Sequence, residues 1–231
     1  MILIFDLDDT LYDERSFVTS GLGAVARHGE DAHGWNAGES LAFMLNVLEN
    51  EGRGRVFDRW LDSHGRLSGA RVAQCVKVYR HHRPNLELFP AARGVIDRYR
   101  GQAPLYLVTD GHKIVQKNKV DALGLLPDFQ RVLITHRFGV RHAKPSIHCF
   151  ERIRQAERCR WTDMVYVGDN PAKDFVSLNG LGALTVRVRT GGHRHVVALP
   201  GYDAQISIAD LDSLPEVLSA NFQRPRNNLS V

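Results

Sequence analysis

The 231-residue sequence has no apolar run long enough to cross a bilayer, which takes roughly 20 consecutive apolar residues. Its three cysteines, Cys75, Cys149 and Cys159, are odd in number and widely spaced, which predicts reduced thiols rather than a disulfide framework. The first residues, Met-Ile-Leu-Ile-Phe-Asp, lack the basic flank of a signal peptide. We therefore expect a cytoplasmic globular protein with no membrane partner.

A strong charge of one sign is also lacking, since 30 basic and 26 acidic residues give a formal net charge of +4. The densest basic runs, at 79–83 and 187–195, are short, which favours solvated surfaces or steering of a small anion over a nucleic-acid site. The histidines of His81-His82 and His193-Arg194-His195 lack paired cysteines and the spacing of a transition-metal site. We interpret them as surface histidines and expect no nucleic-acid partner.

Short apolar runs alternate with helical patterns along most of the chain. The runs, rich in Val, Ile and Leu, predict strands covered on both faces: Ile2–Phe5, Leu105–Val108, Val132–Ile134, Met164–Val167, Leu184–Val188 and, more weakly, Ile206–Ile208. The helical patterns cover Ala91–Tyr99, Ile114–Leu123, Ser146–Glu157, Lys173–Leu178 and Leu211–Leu218. This alternation predicts an α/β fold, a Rossmann-like parallel sheet with helices on both faces.

One stretch, residues 14–86, has no convincing strand. It contains helical patterns at Ser16–Arg27, Glu39–Glu51, Arg55–His64 and Ala70–His82, separated by glycines at 29, 34, 52, 54 and 65. The sequence therefore predicts an all-α cap, residues 14–86, inserted after the first strand of a catalytic core. That core comprises residues 1–13 and 87–220, and residues 221–231 form a polar C-terminal tail.

Three aspartates follow the first predicted strand, in Phe5-Asp6-Leu7-Asp8-Asp9-Thr10, and two of them, Asp6 and Asp8, are spaced two residues apart. Side chains two residues apart on an extended chain project to the same side, so Asp6 and Asp8 can face one site. In an open α/β sheet that site lies outside the carboxyl ends of the strands, where such folds bind ligands. One carboxylate can serve as a metal-bound nucleophile and the other as a proton donor. The alternative is that these residues form a turn or cap the next helix.

Three further segments place polar residues at strand ends or before a helix. Thr109-Asp110-Gly111 offers a hydroxyl and backbone N–H groups to phosphoryl oxygens, or caps a helix. Lys144 precedes a proline and either neutralises charge on a transferring group or is exposed to solvent. Asp169, after Gly168, and Asp174 offer oxygen ligands to a hard cation such as Mg²⁺. Asp174 alternatively lies in the first turn of a helix.

In this order, the four segments resemble the haloacid dehalogenase superfamily of aspartate-nucleophile phosphohydrolases. Its pattern is Asp-x-Asp-x-Thr, a strand ending in Thr or Ser, a lysine and an acidic pair, matched by Asp6 to Thr10, Thr109, Lys144, and Asp169 with Asp174. The resemblance runs from Met1 to about Leu218, and the helical insert is similar to the cap of the all-α-lid subgroup. Two departures are Asp110, where the family often has Asn, and the lack of an Asp after Lys144-Pro145.

The resemblance implies a Mg²⁺-dependent phosphatase that hydrolyses a phosphomonoester of a small metabolite. Asp6 would attack phosphorus to form an aspartyl-phosphate, and Asp8 would act as general acid and then general base. Thr109 and Lys144 would hold the phosphoryl oxygens, with Asp110 and Gly111 completing the phosphate site.

The resemblance also implies which groups bind Mg²⁺. The ligands would be Asp6, the backbone carbonyl of Asp8, and Asp169, with Asp174 either a direct ligand or one contact further away. Because Asp8 is present, phosphoester hydrolysis is favoured over carbon–halogen cleavage. A phosphomutase of the same superfamily and a non-catalytic binding protein with this fold are the alternatives. The sequence leaves the substrate and the oligomeric state open.

Overall fold

The computed structural model describes residues 1–222, which contain a six-stranded parallel sheet. The strands are β1 (Ile2–Phe5), β2 (Leu105–Thr109), β3 (Arg131–Ile134), β4 (Met164–Gly168), β5 (Leu184–Val188) and β6 (Ile206–Ile208). Their order in the sheet is β3-β2-β1-β4-β5-β6, the Rossmann-like order. The α/β fold class and the parallel sheet predicted from the sequence are therefore confirmed.

The strand order reverses at β1, which pairs with β2 on one side and β4 on the other. Phe5 is level with Leu107 of β2 and with Val167 of β4. All residues of β1, β2 and β4 are buried, which explains why these segments are continuous apolar runs rather than alternating ones. Because the strands are parallel, the residues that follow them emerge at one edge of the sheet.

Nine helices accompany the sheet within residues 1–222, together with several short 3₁₀ turns. In chain order they are α1 (Glu14–His33), α2 (Ala37–Glu51), α3 (Val56–Ser63), α4 (Gly69–His81), α5 (Pro90–Tyr99), α6 (Lys113–Ala122), α7 (His148–Glu157), α8 (Val176–Asn179) and α9 (Leu214–Asn221). Most of these bounds lie within a few residues of the predicted ones. The differences lie at the helix ends, which are the least certain part of a sequence pattern.

The chain divides into two compact units. One comprises Met1–Asp13, Glu87–Lys113 and the described residues from Gly124 onward, and it contains the whole sheet. The other comprises Glu14–Leu86 together with Ile114–Leu123, so it contains most of α6 as well as α1 to α4. The sequence pattern assigns α6 to the core, whereas the structure groups it with the helical segment; a role of that segment as a cap stays a prediction.

Gly29 lies inside α1, although the sequence pattern predicts a helix that ends near Arg27 and a separation at Gly29. A Cβ atom on Gly29 would lie 2.7 Å from Cη2 of Trp60. Trp60 is buried in the apolar core of the helical unit, with Val25 and Met44. The glycine therefore permits close packing against an indole ring and does not end the helix.

The predicted helix Lys173–Leu178 is shorter in the structure. Lys173 and Asp174 lie in the loop after β4, and α8 begins only at Val176. The alternative placement of Asp174 in the first turn of a helix is therefore wrong. The predicted tail begins inside α9, which ends at Asn221; residues 223–231 of that tail lie outside the described residues.

Among the described residues, no helix is both long and apolar enough to span a membrane. The three cysteines are free thiols, as the sequence predicts. Burial raises the pKa of Cys75 and of Cys149 to about 11, so neither thiol forms a thiolate readily at neutral pH.

Candidate active site

Asp6 and Lys144 form a buried ion pair at the carboxyl end of β1. The backbone N–H of Asp6 donates to the carbonyl of Val167 at 2.8 Å, which continues the sheet pairing by one residue and fixes where the side chain starts. Lys144 Nζ lies 2.8 Å from Asp6 Oδ1, and it lies 2.8 Å from Asp174 Oδ1 as well. A single ammonium group therefore bridges two of the predicted site carboxylates.

Tyr166, a residue of β4, contacts the same ammonium group through its hydroxyl. Lys144 Nζ donates to the Tyr166 hydroxyl at 2.8 Å, and that hydroxyl donates to Asp174 Oδ1 at 3.2 Å. The Tyr166 ring packs in the apolar core of the sheet unit, against Phe150 at 4.9 Å between ring centroids. Packing in the apolar core thus positions the Tyr166 hydroxyl, which contacts both Lys144 and Asp174.

The Asp6 carboxylate lies close to two further carboxylates, those of Asp169 and Asp174. One oxygen each of Asp6, Asp169 and Asp174 can be chosen so that all three lie within 4.8 Å of one another, and all three residues are buried. The backbone N–H of Asn170 donates to Asp174 Oδ2 at 2.9 Å. An all-oxygen donor set of this kind fits a hard cation such as Mg²⁺ rather than a soft transition metal.

The close approach of Asp174 also explains the glycine that ends β4. A Cβ atom on Gly168 would lie 2.7 Å from Asp174 Oδ2, closer than real Cβ atoms come to a neighbour. Gly168 therefore leaves the space in which the Asp174 carboxylate lies.

The electrostatics of the site indicate a shortage of positive charge. Burial raises the pKa of Asp6 to about 7; Lys144 opposes the shift, and Asp174 adds to it. Burial also raises the pKa of Asp169. Burial lowers the pKa of Lys144, but Asp174 and Asp6 outweigh it and hold that pKa well above its usual value, so the lysine is charged. A further cation would relieve the repulsion among the carboxylates.

Asp8 is half-buried and is held by an aromatic neighbour that the sequence does not reveal. The Tyr12 hydroxyl donates to Asp8 Oδ1 at 2.6 Å. Thr10, the last residue of the Asp-x-Asp-x-Thr motif, is fully buried, and its hydroxyl has no hydrogen-bond partner among the described residues. In this structure Tyr12, rather than Thr10, orients the Asp8 carboxylate.

Thr109 is the fully buried last residue of β2 and pairs in register with Ile134 of β3. The Asp110 carboxylate next to it contacts protein groups: Oδ1 accepts from the Thr135 hydroxyl at 2.7 Å and from the Lys144 backbone N–H at 3.1 Å. Any contribution of Asp110 to phosphate binding would therefore come from its backbone, because its carboxylate would repel the anion.

Gly111 follows with a φ of 132°, a conformation that side-chain-bearing residues rarely adopt. This bend turns the chain after Asp110 toward the start of α6 at Lys113. Gly111 therefore shapes the loop whose backbone N–H groups the sequence assigns to the phosphate site.

Lys173 is a second cation beside the site that the sequence did not single out. Its Nζ lies 3.2 Å from Asp110 Oδ2. Although burial would raise the pKa of Asp110, Lys144 and Lys173 lower it, so this carboxylate is ionised. No spacing rule identifies Lys173, because its neighbour in space is 63 residues away in sequence.

His193, interpreted from the sequence as a surface histidine, lies against the predicted site. Its Nδ1 is 2.7 Å from Asp169 Oδ2, although 42% of its side chain is exposed. The hydrogen bond to Asp169 raises the pKa of His193. His193 follows β5 by five residues in a 3₁₀ turn, so only the folding of that turn brings it to Asp169.

Comparisons with known proteins show the family to which the chain belongs. A family model described as haloacid dehalogenase-like hydrolase matches residues 1–182. The chain is 26% identical over 223 residues to a glyceraldehyde 3-phosphate phosphatase of Methanocaldococcus jannaschii, covering 94% of each chain. It is also 32% identical over 143 residues to a phosphoserine phosphatase of Thermus thermophilus, covering 60% of this chain and 55% of that protein.

Solved structures share the fold. A putative HAD-hydrolase from Bacillus subtilis, bound to magnesium, superposes with a TM-score of 0.66 at 19% identity, covering 94% of this chain and 97% of that one. A 2-haloacid dehalogenase from Pseudomonas syringae gives a TM-score of 0.62 at 22% identity, covering 95% and 99%. At these identities the likeness is one of fold.

Proposed function

This chain belongs to the haloacid dehalogenase-like hydrolase family and is a phosphatase, and we propose that it is Mg²⁺-dependent, with Asp6 as the nucleophile. The proposed reaction is hydrolysis of a phosphomonoester of a small metabolite through an aspartyl-phosphate on Asp6. The observation that carries the proposal is the convergence of Asp6, Lys144, Asp169 and Asp174 at the strand ends.

In the first step, one oxygen of the ionised Asp6 carboxylate attacks phosphorus and the bond to the leaving alkoxide breaks. The Asp6 carboxylate is well placed for this role because its backbone is held in the sheet and its Oδ1 is held by Lys144. Fixing the attacking oxygen in this way removes much of the entropic cost of the encounter.

Asp8 would donate a proton to the leaving alkoxide as it departs. It would then take a proton from the water that attacks the aspartyl-phosphate, which releases inorganic phosphate and restores Asp6. The Tyr12 hydroxyl, at 2.6 Å from Asp8 Oδ1, would orient the Asp8 carboxylate for proton transfer.

Lys144 and the Thr109 hydroxyl would stabilise the negative charge that develops on the transferring phosphoryl group. The carboxylates of Asp6 and Asp169 would hold the metal together with the backbone carbonyl of Asp8. The Asp174 carboxylate, which lies close to those of Asp6 and Asp169, would bind the metal directly or through one further contact. When bound there, Mg²⁺ would offset the repulsion between the anionic nucleophile and the anionic substrate.

The proposed substrate is a small phosphorylated metabolite, and the names of the relatives suggest which candidate substrates to test first. Those matched over 94% of this chain are glyceraldehyde 3-phosphate phosphatases, from Methanocaldococcus jannaschii and Pyrococcus furiosus among others. Glyceraldehyde 3-phosphate and phosphoserine are therefore the first esters to test. Asp8 favours phosphoester hydrolysis over dehalogenation, because only the former releases an alcohol that needs a proton.

The test is phosphate release by the purified full chain from a panel of phosphate esters, with and without Mg²⁺. We expect Mg²⁺-dependent release that falls by about a thousandfold or more in Asp6→Asn. The matched control is Asp212→Asn, which changes an exposed aspartate of the C-terminal 3₁₀ turn and should leave the rate unchanged. Equal rates for Asp6→Asn and wild type would refute the proposal, and formation of an isomeric phosphate ester without phosphate release would indicate a mutase.

A further inference from the structure

His193 and Asp169 are joined by a hydrogen bond, and the surrounding groups determine which of the two residues donates. Asn170 Oδ1 accepts the backbone N–H of Ala172 at 3.0 Å, which fixes the orientation of the Asn170 amide. Its Nδ2 is then the donor that faces His193 Nε2 at 3.2 Å. Because Nε2 accepts, the ring carries its hydrogen on Nδ1 and donates it to Asp169 Oδ2 at 2.7 Å.

The backbone around His193 is also fixed by hydrogen bonds to neighbouring residues. The buried Arg187 side chain donates from Nη2 to the His193 carbonyl at 2.8 Å, and its Nη1 is paired with Asp203. The Gly192 N–H donates to Asp9 Oδ2 at 2.9 Å. A Cβ atom on Gly191 would lie 2.0 Å from Asp9 Cγ, so this close approach requires glycine. The position of His193 is therefore specified by the fold.

We infer that His193 is a positioning residue for the metal site: its Nδ1–H occupies Asp169 Oδ2 and turns the other carboxylate oxygen toward Asp6 and Asp174. This inference rests on the proposed function, because it takes Asp169 as a metal ligand. A carboxylate held by one hydrogen bond loses less rotational freedom when it binds a cation, and such supporting bonds strengthen metal binding about 10–100-fold. His193 itself does not touch substrate or metal in this proposal.

The main alternative is that Asp9, Asp169 and His193 hold a second metal ion, since ligand atoms of these three residues also lie within 4.8 Å of one another. The observed bonds favour the positioning role. Nδ1 and Oδ2 are at hydrogen-bond distance from each other, and Asp9 Oδ2 already accepts from Gly192. Metal stoichiometry separates the two possibilities.

The test is titration of the full chain with Mn²⁺ alone, followed by the loss of the free-ion electron paramagnetic resonance signal. We expect one Mn²⁺ per wild-type chain, and an affinity about tenfold weaker in His193→Ala. His193→Asn should keep the wild-type affinity, because its amide nitrogen can replace Nδ1 as a donor. The matched control is His195→Ala, two residues away, whose Nε2 faces Arg194 and which should bind Mn²⁺ as wild type does.

Activity supplies a second measurement. In His193→Ala the Mg²⁺ concentration for half-maximal activity should rise about tenfold while kcat at saturating Mg²⁺ stays close to wild type. A residue needed only for folding would instead lower kcat and stability in both His193 variants.

Unchanged Mn²⁺ affinity in His193→Ala would overturn the inference, as would two bound Mn²⁺ ions per wild-type chain that fall to one in this variant. Asp169→Asn separates this failure from that of the proposed function. If Asp169→Asn loses Mn²⁺ binding while His193→Ala does not, only the positioning role is wrong. If Asp169→Asn binds Mn²⁺ as wild type does, the proposed metal site is wrong too.

Discussion

Nζ of Lys144 and Oδ1 of Asp6 lie 2.8 Å apart, and 1% and 5% of their side chains are exposed to solvent. The same Nζ lies 2.8 Å from Asp174 Oδ1, so the lysine is shared between the predicted nucleophile and a predicted metal ligand. Coulombic attraction acts at short range and with little screening here, because the groups are buried. We therefore expect Lys144 to contribute both to the stability of the folded protein, by pairing with two buried carboxylates, and to the proposed reaction.

Removal of this ammonium group should destabilise the metal-free protein. In Lys144→Met, two buried carboxylates lose their partner, and we expect the free energy of unfolding at pH 8 to fall by about 3–5 kcal/mol. Urea denaturation in the presence of a chelator measures the change. The control is Lys117→Met, which removes an exposed pair with Asp121 and should cost about 0.5 kcal/mol or less. Equal losses in the two variants would contradict the assigned role of Lys144.

The raised pKa of Asp6 predicts a pH dependence of stability. The pKa is about 7 in the folded metal-free protein against an ordinary value of 3.8, so between these pH values folded Asp6 binds more protons than unfolded Asp6 does. The contribution of Asp6 to stability is therefore present below about pH 4 and is lost as the pH rises toward about 7.

Calorimetry in the presence of a chelator tests this sign. We expect Asp6→Asn, which cannot ionise, to gain in Tm relative to wild type as the pH rises from 5 to 8. A difference in Tm that is constant over this range would show that the Asp6 pKa is not raised by folding.

Asp110 should support activity mainly by accepting hydrogen bonds from the Thr135 hydroxyl and the Lys144 N–H, and less by its negative charge. Asp110→Asn retains an oxygen for the Thr135 hydroxyl and the Lys144 N–H but loses the ion pair with Lys173. We expect kcat/KM to fall only several-fold in Asp110→Asn and about 100-fold in Asp110→Ala, where the Lys144 loop loses its anchor. Steady-state kinetics on the best substrate measures both, and equal losses in the two variants would contradict this ranking.

Much of the fold and part of the site could be predicted from the sequence, for a physical reason. Strands buried on both faces, such as Met164–Gly168, are continuous apolar runs, and parallel strands deliver the residues after them to one edge. Asp6 and Asp169 could therefore be placed together without knowledge of the packing. A sequence motif identifies Lys144, whereas its bridge between Asp6 and Asp174 is visible only in the structure.

The remaining features depend on tertiary contacts that no local pattern encodes. Tyr166 looks like an ordinary core residue between two valines, and only the fold places its hydroxyl against Lys144. His193 depends on the turn after β5, which Arg187 and Gly191 shape. The local sequence predicts a helix break at Gly29, because Trp60, the residue against which this glycine packs, is 31 positions further along the chain.

Gly29 should respond unusually to substitution by alanine. Alanine normally favours a helix over glycine by about 0.5–1 kcal/mol, but a Cβ at position 29 would clash with the buried Trp60. Because overpacking costs about 1–3 kcal/mol, we expect Gly29→Ala to destabilise the protein. The control is Gly94→Ala in α5, where a Cβ meets nothing within 4 Å, and which should stabilise it. Thermal unfolding compares them, and stabilisation by Gly29→Ala would contradict the packing argument.

The attack of Asp6 on phosphorus is tested most directly by trapping the covalent intermediate. The full chain is quenched with acid within milliseconds of mixing with Mg²⁺ and its best substrate, and its peptides are mapped by mass spectrometry. We predict a phosphoryl group on the peptide that contains Asp6, absent from Asp6→Asn. A phosphoryl group on another residue, or full turnover by Asp6→Asn, would contradict the account.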